Sequence, residues 1–418
     1  MLVDFKVSNF LSFRDEVAFS MVPMESRDDL IATNISNPPQ LMRVAAIYGA
    51  NASGKSNFCK ALGRLAYLVS QSFKNSISEK LPFTPYLLNK KNKELPTTFK
   101  LSFICEKNLY YYEISYTGDH IKYELLKRIE DKDVVIFERR REKEVYSLTT
   151  DLEKFSSELK EYSSEVIPNR SFLSDLINNK GYKKASFVEA YNGICENINF
   201  LTTDFRHKYT LTMLNTESRQ VILDCVKSAD LSIENIKVPN EEEINKIVEE
   251  SKVPTSVREH LVDNIFLNAS QTVHKTEEGD YINFILNSNE SDGTQRFLNV
   301  IGPIFSILEK GETLCMDELD RGLHPHLVRF IISLFANPKI NNNNAQIIFT
   351  SFAHYLMDGE TLEKDQIWFV AKEDGYASSV YALADFKEED RKKDFYTSYM
   401  YGIYGAVPKI REYNVSKF

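Results

Sequence analysis

Residues 45–58 read AAIYGANASGKSNF, and Gly49, Gly54, Lys55 and Ser56 within them fit the pattern G-x-x-x-x-G-K-[ST]. Each of these positions has a chemical reason. The glycines let the backbone turn so that its N–H groups point inward around phosphates. The lysine reaches the β- and γ-phosphates, and the serine hydroxyl can bind magnesium. The alternative is an ordinary glycine-containing turn, which the rest of the chain disfavours.

The residues on either side of this loop supply the context that the pattern requires. Residues 44–48 form a short apolar run, as expected of a buried parallel strand. Residues 57–62 can continue as a helix, and the N-terminus of a helix favours an anionic phosphate. The residues predicted to bind ATP here are Gly49, Ala50, Asn51, Ala52, Ser53, Gly54, Lys55, Ser56 and Asn57.

Length and composition limit the class of protein. The chain has 418 residues, of which 43% are hydrophobic and 27% charged, and this indicates a soluble globular protein with more than one domain-sized unit. No apolar run approaches the length that spans a bilayer, and the opening MLVDFKVSNF alternates like a strand and unlike a secretion signal. The five cysteines are scattered and form no C-x-x-C pair. We therefore predict a cytoplasmic protein without a membrane partner, a disulfide framework or a zinc site.

The charge pattern bears on nucleic-acid binding. The formal net charge is −9, whereas a protein that coats DNA without sequence preference is usually basic. Short basic runs occur at residues 90–93 and 139–141, and both have acidic neighbours. We interpret each run as a solvated surface or a turn.

Hydrophobic periodicity divides the chain into regions. Residues 97–125 alternate as antiparallel strands, the spacing from about 150 to 270 is helical, and buried-strand patterns return after residue 314. The elements predicted in the last region are strands at 314–316, 346–349 and 366–370 and a helix over 325–335. The predicted units are an N-terminal lobe (1–145), a mainly helical insert (146–271) and a C-terminal lobe (272–418).

A phosphate loop requires a carboxylate at the end of a neighbouring strand, and residues 311–327, GETLCMDELDRGLHPHL, supply it. The apolar run 314–316 should bring Asp317 to the end of a strand, where it can hold Mg²⁺ together with Ser56. Glu318 would then face the γ-phosphate as the catalytic base that polarises the attacking water. The alternative is an acidic turn, which is common for one carboxylate after a strand and much rarer for two after a complete phosphate loop.

The sequence His324-Pro325-His326 raises the question of a metal site. A proline between the two histidines hinders their convergence on one ion, and no third ligand is nearby in sequence. We interpret these residues as the start of a helix after the turn at Asp320.

Several segments, in this order along the chain, carry a resemblance to a known family. They are NFLSF (9–13), GANASGKSN (49–57), ESDGTQR (290–296), MDELDRGLHP (316–325), and the tail DQIWFV (365–370) with YGIYGAVP (401–408). The chain resembles the ABC-type ATPase heads of the RecF, SMC and OLD group. It is more similar still to the stand-alone AAA-like ATPases of bacterial defence, of the RloA and AbiL type. Within the helical insert, only NRSFLSDL (169–176) resembles the family, and the resemblance is weak.

The resemblance implies both a fold and a mechanism. The fold class is α/β, an ABC-ATPase-like P-loop NTPase head with an antiparallel β-subdomain and a mainly helical insert. In such ATPases two heads meet face to face and sandwich two ATP molecules. By position, Ser291 and Gly293 of one head would cap the γ-phosphate bound by the other, supported by Thr294, and Asp320 would lie in the segment that crosses the interface. The alternative for ESDGTQR is a capped helix start in which Ser291 does not touch ATP.

The chain departs from the family pattern at two points. The family's glutamine-bearing loop has no identifiable counterpart between Lys80 and Thr97. The family's histidine after the next strand would fall at Phe352, and the only histidine nearby, His354, lies two positions later. If residues 347–349 form a strand and the chain then turns, His354 points elsewhere than Phe352. We therefore expect ATP hydrolysis to be slow or to depend on a partner.

These observations lead to one leading hypothesis and two alternatives. The leading hypothesis is an ATPase that dimerises on ATP and serves bacterial defence against phage, together with a nuclease or toxin effector on a separate chain. The first alternative is a DNA-repair or chromosome-maintenance head, for which DNA itself is the partner. The second is an ATP-locked scaffold with little turnover, an alternative that the displaced histidine leaves open.

Overall fold

The computed structural model describes residues 1–35, 37–201, 208–229, 232–250, 258, 261, 262, 265, 266, 268–373, 376–386 and 394–408. The strands are β1 (Leu2–Ser8), β2 (Val17–Ser20), β3 (Ile31–Ala32), β4 (Gln40–Leu41), β5 (Val44–Tyr48), β6 (Thr97–Cys105), β7 (Asn108–Tyr116), β8 (Ile121–Ile129), β9 (Val134–Glu142), β10 (Val145–Thr149), β11 (Ile198–Leu201), β12 (Asn235–Lys237), β13 (Gln271–Lys275), β14 (Tyr281–Ile285), β15 (Thr313–Met316), β16 (Gln346–Thr350), β17 (Ile367–Glu373) and β18 (Ala377–Ala382). The α-helices are α1 (Lys55–Gln71), α2 (Ser156–Glu165), α3 (Phe172–Asn178), α4 (Ala185–Cys195), α5 (Lys208–Met213), α6 (Arg219–Ser228), α7 (Glu241–Glu250), α8 (Leu286–Asn289), α9 (Asp292–Lys310), α10 (Pro325–Ala336) and α11 (Phe395–Met400). Among the helices in these ranges, none has the length and apolar character needed to cross a membrane.

The central sheet is built from strands that lie far apart in the sequence. Its order is β11-β15-β16-β5-β17-β18, in which β18 is antiparallel to β17 and the other neighbours are parallel. Every residue of β5, β15 and β16 is buried, as expected of parallel strands covered on both faces. The register places Met316 beside Phe349 and Thr350 beside Ile47, so the carboxyl ends of these three strands lie side by side. The strands predicted in the last region of the chain are confirmed.

The second large sheet is the antiparallel β-subdomain that the alternation of residues 97–125 predicts. Its order is β10-β9-β8-β7-β6-β1-β2. Phe99, Leu101 and Phe103 of β6 are buried, and Phe99 stacks on Phe5 of β1 with ring centroids 6.2 Å apart. Burying an apolar side chain of this size contributes about 1.5–3 kcal/mol. This sheet and α1 therefore share one large apolar core.

The described part of residues 146–271 is mainly helical, but its helices pack in two places. Helices α2, α3 and α4 join the core of the antiparallel sheet through Leu159, Phe172 and Phe187. Helices α5 and α6 pack instead on α9. Strand β11 lies in the same stretch of sequence and pairs with β15 in the central sheet. The division of the chain at residues 145 and 271 stays a prediction.

The basic run at residues 139–141 belongs to β9, and Arg139 is only 1% exposed. Its Nη2 donates to the carbonyl oxygens of Ser163 (3.1 Å) and Val166 (2.9 Å). Its guanidinium lies 3.6 Å from the ring centroid of Tyr146. The interpretation as a solvated surface is therefore wrong for Arg139, because the carbonyls where α2 ends accept its hydrogen bonds.

Residues 169–176, which resemble the family only weakly, form a buried junction between α3 and β8. Glu124 of β8 is fully buried. It accepts hydrogen bonds from the Ser171 hydroxyl (2.8 Å), the Phe172 N–H (2.6 Å) and the Tyr112 hydroxyl (2.8 Å). A carboxylate at a helix N-terminus satisfies backbone donors that the helix leaves open. The structure thus gives these residues a packing role.

Candidate nucleotide-binding site

The loop between β5 and α1 has a shape that only glycine permits at two positions. Gly49 has φ 152°, and a Cβ added there would lie 2.2 Å from the carbonyl oxygen of Val370. Gly54 has φ 117°, and its Cβ would lie 2.6 Å from the hydroxyl oxygens of both Ser12 and Ser378. Real Cβ atoms do not approach other atoms this closely, and positive φ is costly for other residues. The glycine spacing in the sequence therefore corresponds to two positions where a side chain would collide with a neighbour, a carbonyl oxygen at Gly49 and two serine hydroxyls at Gly54.

Groups from both ends of the chain brace this loop. The Ser378 hydroxyl of β18 donates to the carbonyl oxygen of Ser53 at 2.5 Å. The Ser378 N–H donates to the carbonyl oxygen of Ser12 at 2.8 Å, and the Asn57 amide donates to the Ser12 hydroxyl at 2.9 Å. Sequence reasoning found the NFLSF segment but not its function as a support, and it missed Ser378. Strand β18 reads ASSVYA and carries two adjacent serines, so the sequence does not single out Ser378.

Lys55 is the first residue of α1, and its ammonium lies over the loop. Its Nζ donates to the carbonyl oxygens of Gly49 (2.7 Å) and Ala50 (3.2 Å). Burial lowers the pKa of Lys55 to about 8, although the carboxylates of Asp317, Glu318 and Asp320 act in the opposite direction. These carboxylates are therefore close enough to the ammonium to interact with it. The fold brings the predicted metal ligand and the predicted base to the phosphate loop.

Thr350, at the end of β16, positions the two carboxylates that follow β15. Its hydroxyl donates to Asp317 Oδ1 at 2.6 Å and accepts from the Glu318 N–H at 2.8 Å. Glu318 has φ 53°, an uncommon conformation for a residue with a side chain, and such conformations often occur at functional sites. Its Oε2 lies 3.3 Å from Arg321 Nη1. Sequence reasoning placed Thr350 near the end of the strand formed by residues 347–349 but missed its function in positioning the carboxylates.

The signature segment begins α9 with a local cap. The Ser291 hydroxyl accepts a hydrogen bond from the Thr294 N–H at 3.1 Å and lies 2.9 Å from the Thr294 hydroxyl. A Cβ on Gly293 would lie 3.2 Å from the carbonyl oxygen of Gly322, so this helix start packs on the segment after β15. In the described part of the chain, no hydrogen bond joins Ser291, Gly293 or Thr294 to residues 49–57. The capped helix start is observed, and contact with ATP on a second head stays a prediction.

The glycine loop, the paired carboxylates and the helix start agree with a comparison to protein families. Residues 44–351 match the family described as "AAA domain, putative AbiEii toxin, Type IV TA system". The chain belongs to this AAA family. The matched residues include the phosphate loop, the signature segment and both carboxylates, and the match ends beside Phe352. The α/β ATPase head that the resemblance implies is therefore the fold of this AAA-family protein.

Solved structures of SMC heads are also similar to this AAA-family protein. The SMC head domain from Thermotoga maritima has 14% identity and a TM-score of 0.40, and the match covers 91% of this chain and 98% of that chain. An SmcHead bound to the C-winged helix domain of ScpA has 13% identity and a TM-score of 0.38 over 93% and 98%. An Smc head with an extended coiled coil, bound to the C-terminal domain of ScpA derived from Pyrococcus furiosus, has 14% identity and a TM-score of 0.37 over 91% and 96%. No curated protein matches the chain.

The position of the family histidine carries an aromatic ring in this AAA-family protein. Phe352 follows the end of β16 by two residues, and its ring centroid lies 3.8 Å from Lys55 Nζ. His354 begins the short 3₁₀ helix His354–Leu356, and its ring lies 5.4 Å from that of Tyr399. Burial lowers the pKa of His354. The strand expected at residues 347–349 is confirmed, and slow or partner-dependent ATP hydrolysis stays a prediction.

The segment between Lys80 and Thr97, in which no glutamine loop was found, is tied to the start of the chain. Asn9 Oδ1 accepts from the Tyr86 N–H and from the Asn92 amide, both at 3.1 Å. Asn9 Nδ2 donates to the carbonyl oxygen of Leu95 at 2.7 Å. The asparagine of NFLSF therefore fixes this segment beside the serine that braces the phosphate loop.

The two histidines at 324 and 326 start a helix. His324 is the N-cap of α10, and its Nδ1 accepts from the His326 N–H at 3.3 Å. The predicted helix start is confirmed. Among the residues that the structure describes, no group of three or more metal-binding side chains forms.

Proposed function

We propose that this protein binds ATP with Mg²⁺, hydrolyses it, and dimerises head to head when ATP is bound. One observation carries the proposal. The carboxyl ends of β5, β16 and β15 are adjacent, so the phosphate loop, Thr350 and the pair Asp317 and Glu318 meet at one edge of the sheet. Ligands of parallel α/β sheets bind at this edge. Membership of an AAA family supports ATP as the ligand.

The residues at this edge suit the phosphates and the metal ion. The glycine-shaped loop would surround phosphates with backbone N–H groups, and Lys55 would supply a positive charge. Ser56 and Asp317 would hold Mg²⁺, because this ion prefers oxygen ligands. The bound ion would neutralise negative charge on the phosphates. Glu318 would accept a proton from the attacking water, and Thr350 fixes the backbone of Glu318 and the carboxylate of Asp317.

The head-to-head part of the proposal assigns the signature segment to a second copy. Helix α9 has 19 residues, and its N-terminus carries the partial positive charge that attracts anions. Ser291, Gly293 and Thr294 lie at this N-terminus, and Gly293 packs on Gly322 of the segment that contains Asp320. In our proposal these four residues meet the ATP that a second copy holds.

The biological part of the proposal is the ATPase component of a bacterial anti-phage defence system in the cytoplasm, acting with a separate nuclease or toxin effector. The resemblance to defence ATPases motivates it. The family description, which names a putative toxin of a type IV toxin–antitoxin system, supports a role of this kind. A scaffold that stays locked by ATP is a second candidate, because Phe352 offers no hydrogen-bond donor at the position of the family histidine.

The decisive experiment follows ATP turnover and mass in solution for the parent and Glu318→Gln. The variant keeps the shape of the side chain but loses the carboxylate, so we expect ATP binding, at least about a hundredfold slower hydrolysis, and accumulation of a dimer seen by light scattering. Lys55→Ala should bind ATP at least about a hundredfold more weakly, whereas Lys60→Ala, on the exposed face of the same helix, should behave as the parent.

Two outcomes would redirect the proposal. Unchanged turnover in Glu318→Gln would show that another group polarises the water. Tight, steeply salt-dependent binding of the parent to DNA ends would favour the DNA-repair alternative over a defence role.

A further inference from the structure

Within the part of the chain that the structure describes, three groups contact the ammonium of Lys55. Two are the carbonyl oxygens of Gly49 and Ala50, at 2.7 and 3.2 Å. The third is the ring of Phe352, whose centroid lies 3.8 Å from Nζ. A lysine ammonium has three N–H donors, so the two carbonyls leave one, and the face of an aromatic ring attracts a cation at this distance.

Phe352 is anchored through its backbone while its ring is partly open to solvent. Its N–H donates to both carboxylate oxygens of Asp320, each at 3.3 Å. Its carbonyl oxygen accepts from the His354 N–H at 2.9 Å. The side chain is 37% exposed, so it has room to rotate. The backbone is therefore fixed at this position, and the ring can move.

A phosphate that reaches Lys55 must take the place of one of these neighbours. The carbonyls belong to the loop backbone, and hydrogen bonds from a charged group are the stronger contacts. The ring makes a weaker contact and has space to leave. Displacing the ring is therefore the least costly way for the ammonium to gain a phosphate.

We propose that Phe352 is an aromatic lid on Lys55, a positioning residue that the β- and γ-phosphates of the nucleotide must displace. This inference rests on the proposed function and adds the regulation of that site. The ring contacts the ammonium, and the affinity for triphosphate is lowered by the strength of this contact, which phosphate binding breaks. Because Asp320 holds the backbone of the lid, the segment proposed to cross the dimer interface is attached to the residue that responds to phosphate.

The test uses the full chain, Mg²⁺ and a non-hydrolysable ATP analogue in titration calorimetry. Phe352→Leu removes the aromatic face and keeps an apolar side chain, so the analogue should bind about threefold to tenfold more tightly. Phe352→Tyr keeps the face and should bind as the parent does. AMP, which lacks the β- and γ-phosphates, should bind the parent and both variants equally.

A thermodynamic cycle ties the effect to the ammonium. In a Lys55→Met background, Phe352→Leu should no longer change the affinity, because the charge that the ring contacts is gone. Equal or weaker binding of the analogue by Phe352→Leu would overturn the lid, since the ring would then be neutral or would assist the bound state. If Lys55→Ala also binds the analogue as the parent does, the proposed nucleotide site is wrong. Failure of the lid and failure of the nucleotide site therefore give different results.

Discussion

The phosphate loop (49–57) and the signature segment (290–296) are held in place in different ways. The loop depends on groups from distant parts of the chain, among them Ser12 and Ser378. In the signature segment the start of α9 is capped locally, since the Ser291 hydroxyl accepts from a backbone N–H three residues later, while Glu290 before the cap contacts His274 at 2.6 Å. Distant groups of the same chain therefore hold the phosphate loop, whereas the first turn of α9 is held by its own cap. This difference agrees with the proposal that the signature finds its ligand on a second copy.

Among the variants that test this comparison, we expect the largest loss of ATP affinity for Gly54→Ala. The added Cβ would lie 2.6 Å from two hydroxyl oxygens at a φ of 117°, so the loop must move away from its supports. We expect ATP affinity to fall about a hundredfold, or about 2.7 kcal/mol, measured by calorimetry with Mg²⁺.

Gly63→Ala is the matched control for this change. Gly63 lies within α1, and its Cβ would be 3.7 Å from Phe200, an ordinary contact. This variant should bind ATP as the parent does and unfold with about 0.4–1 kcal/mol more stability. Equal ATP affinities of Gly54→Ala and the parent would show that the distant supports do not shape the cradle.

The next effect concerns the signature segment. Ser291→Arg places a long charged side chain at the start of α9, so it should weaken ATP-dependent dimerisation by at least about thirtyfold, or 2 kcal/mol. ATP binding by each copy should not change, because the loop is complete within one chain. Light scattering in a Glu318→Gln background, with and without ATP, measures the dimer. Normal dimerisation of Ser291→Arg would contradict the face-to-face arrangement.

The smallest effect is a pH dependence of the phosphate loop. Burial lowers the pKa of Lys55 to about 8, so the ammonium is charged below this value and loses its proton as the pH rises through it. Phosphate binds the charged form, and ATP affinity should therefore fall close to tenfold between pH 7 and pH 9. Titration calorimetry across this range, corrected for buffer ionisation, provides the measurement.

Lys55→Arg separates the titration of Lys55 from other changes with pH. A guanidinium stays charged throughout this range, so the affinity of the variant, whatever its level, should be flat from pH 7 to pH 9. A parallel decline in both proteins would assign the pH dependence to a different group.

The parts of the site that the sequence predicted are those whose chemistry restricts the residue type. A phosphate loop needs glycine at fixed spacing, and a metal ligand and a base need carboxylates at a strand end, so residues 49–57, Asp317 and Glu318 were recognisable. The same holds for the buried strands, because parallel strands covered on both faces are continuously apolar.

The parts that could not be predicted depend on contacts between distant residues with interchangeable side chains. Many polar residues could support a loop, and only the tertiary structure shows that Ser378 contacts Ser53 and that Thr350 joins Asp317 to the next strand. Arg139 was misread for a related reason. Its sequence neighbours are charged, and its buried partners lie more than 20 residues away.

The brace between Ser53 and Ser378 also has a consequence for synthesis of the chain. The two residues are 325 positions apart, and both parallel neighbours of β5 are made after residue 345. At a translation rate of about 5–20 residues per second, the phosphate loop leaves the ribosome roughly 15–65 s before the serine that fixes it. The nascent N-terminal lobe can form its antiparallel sheet early, because β6 to β10 follow one another along the chain. The phosphate loop instead gains its neighbours only after residues 346–378 have been made, so we expect it to take its final shape later than the antiparallel sheet.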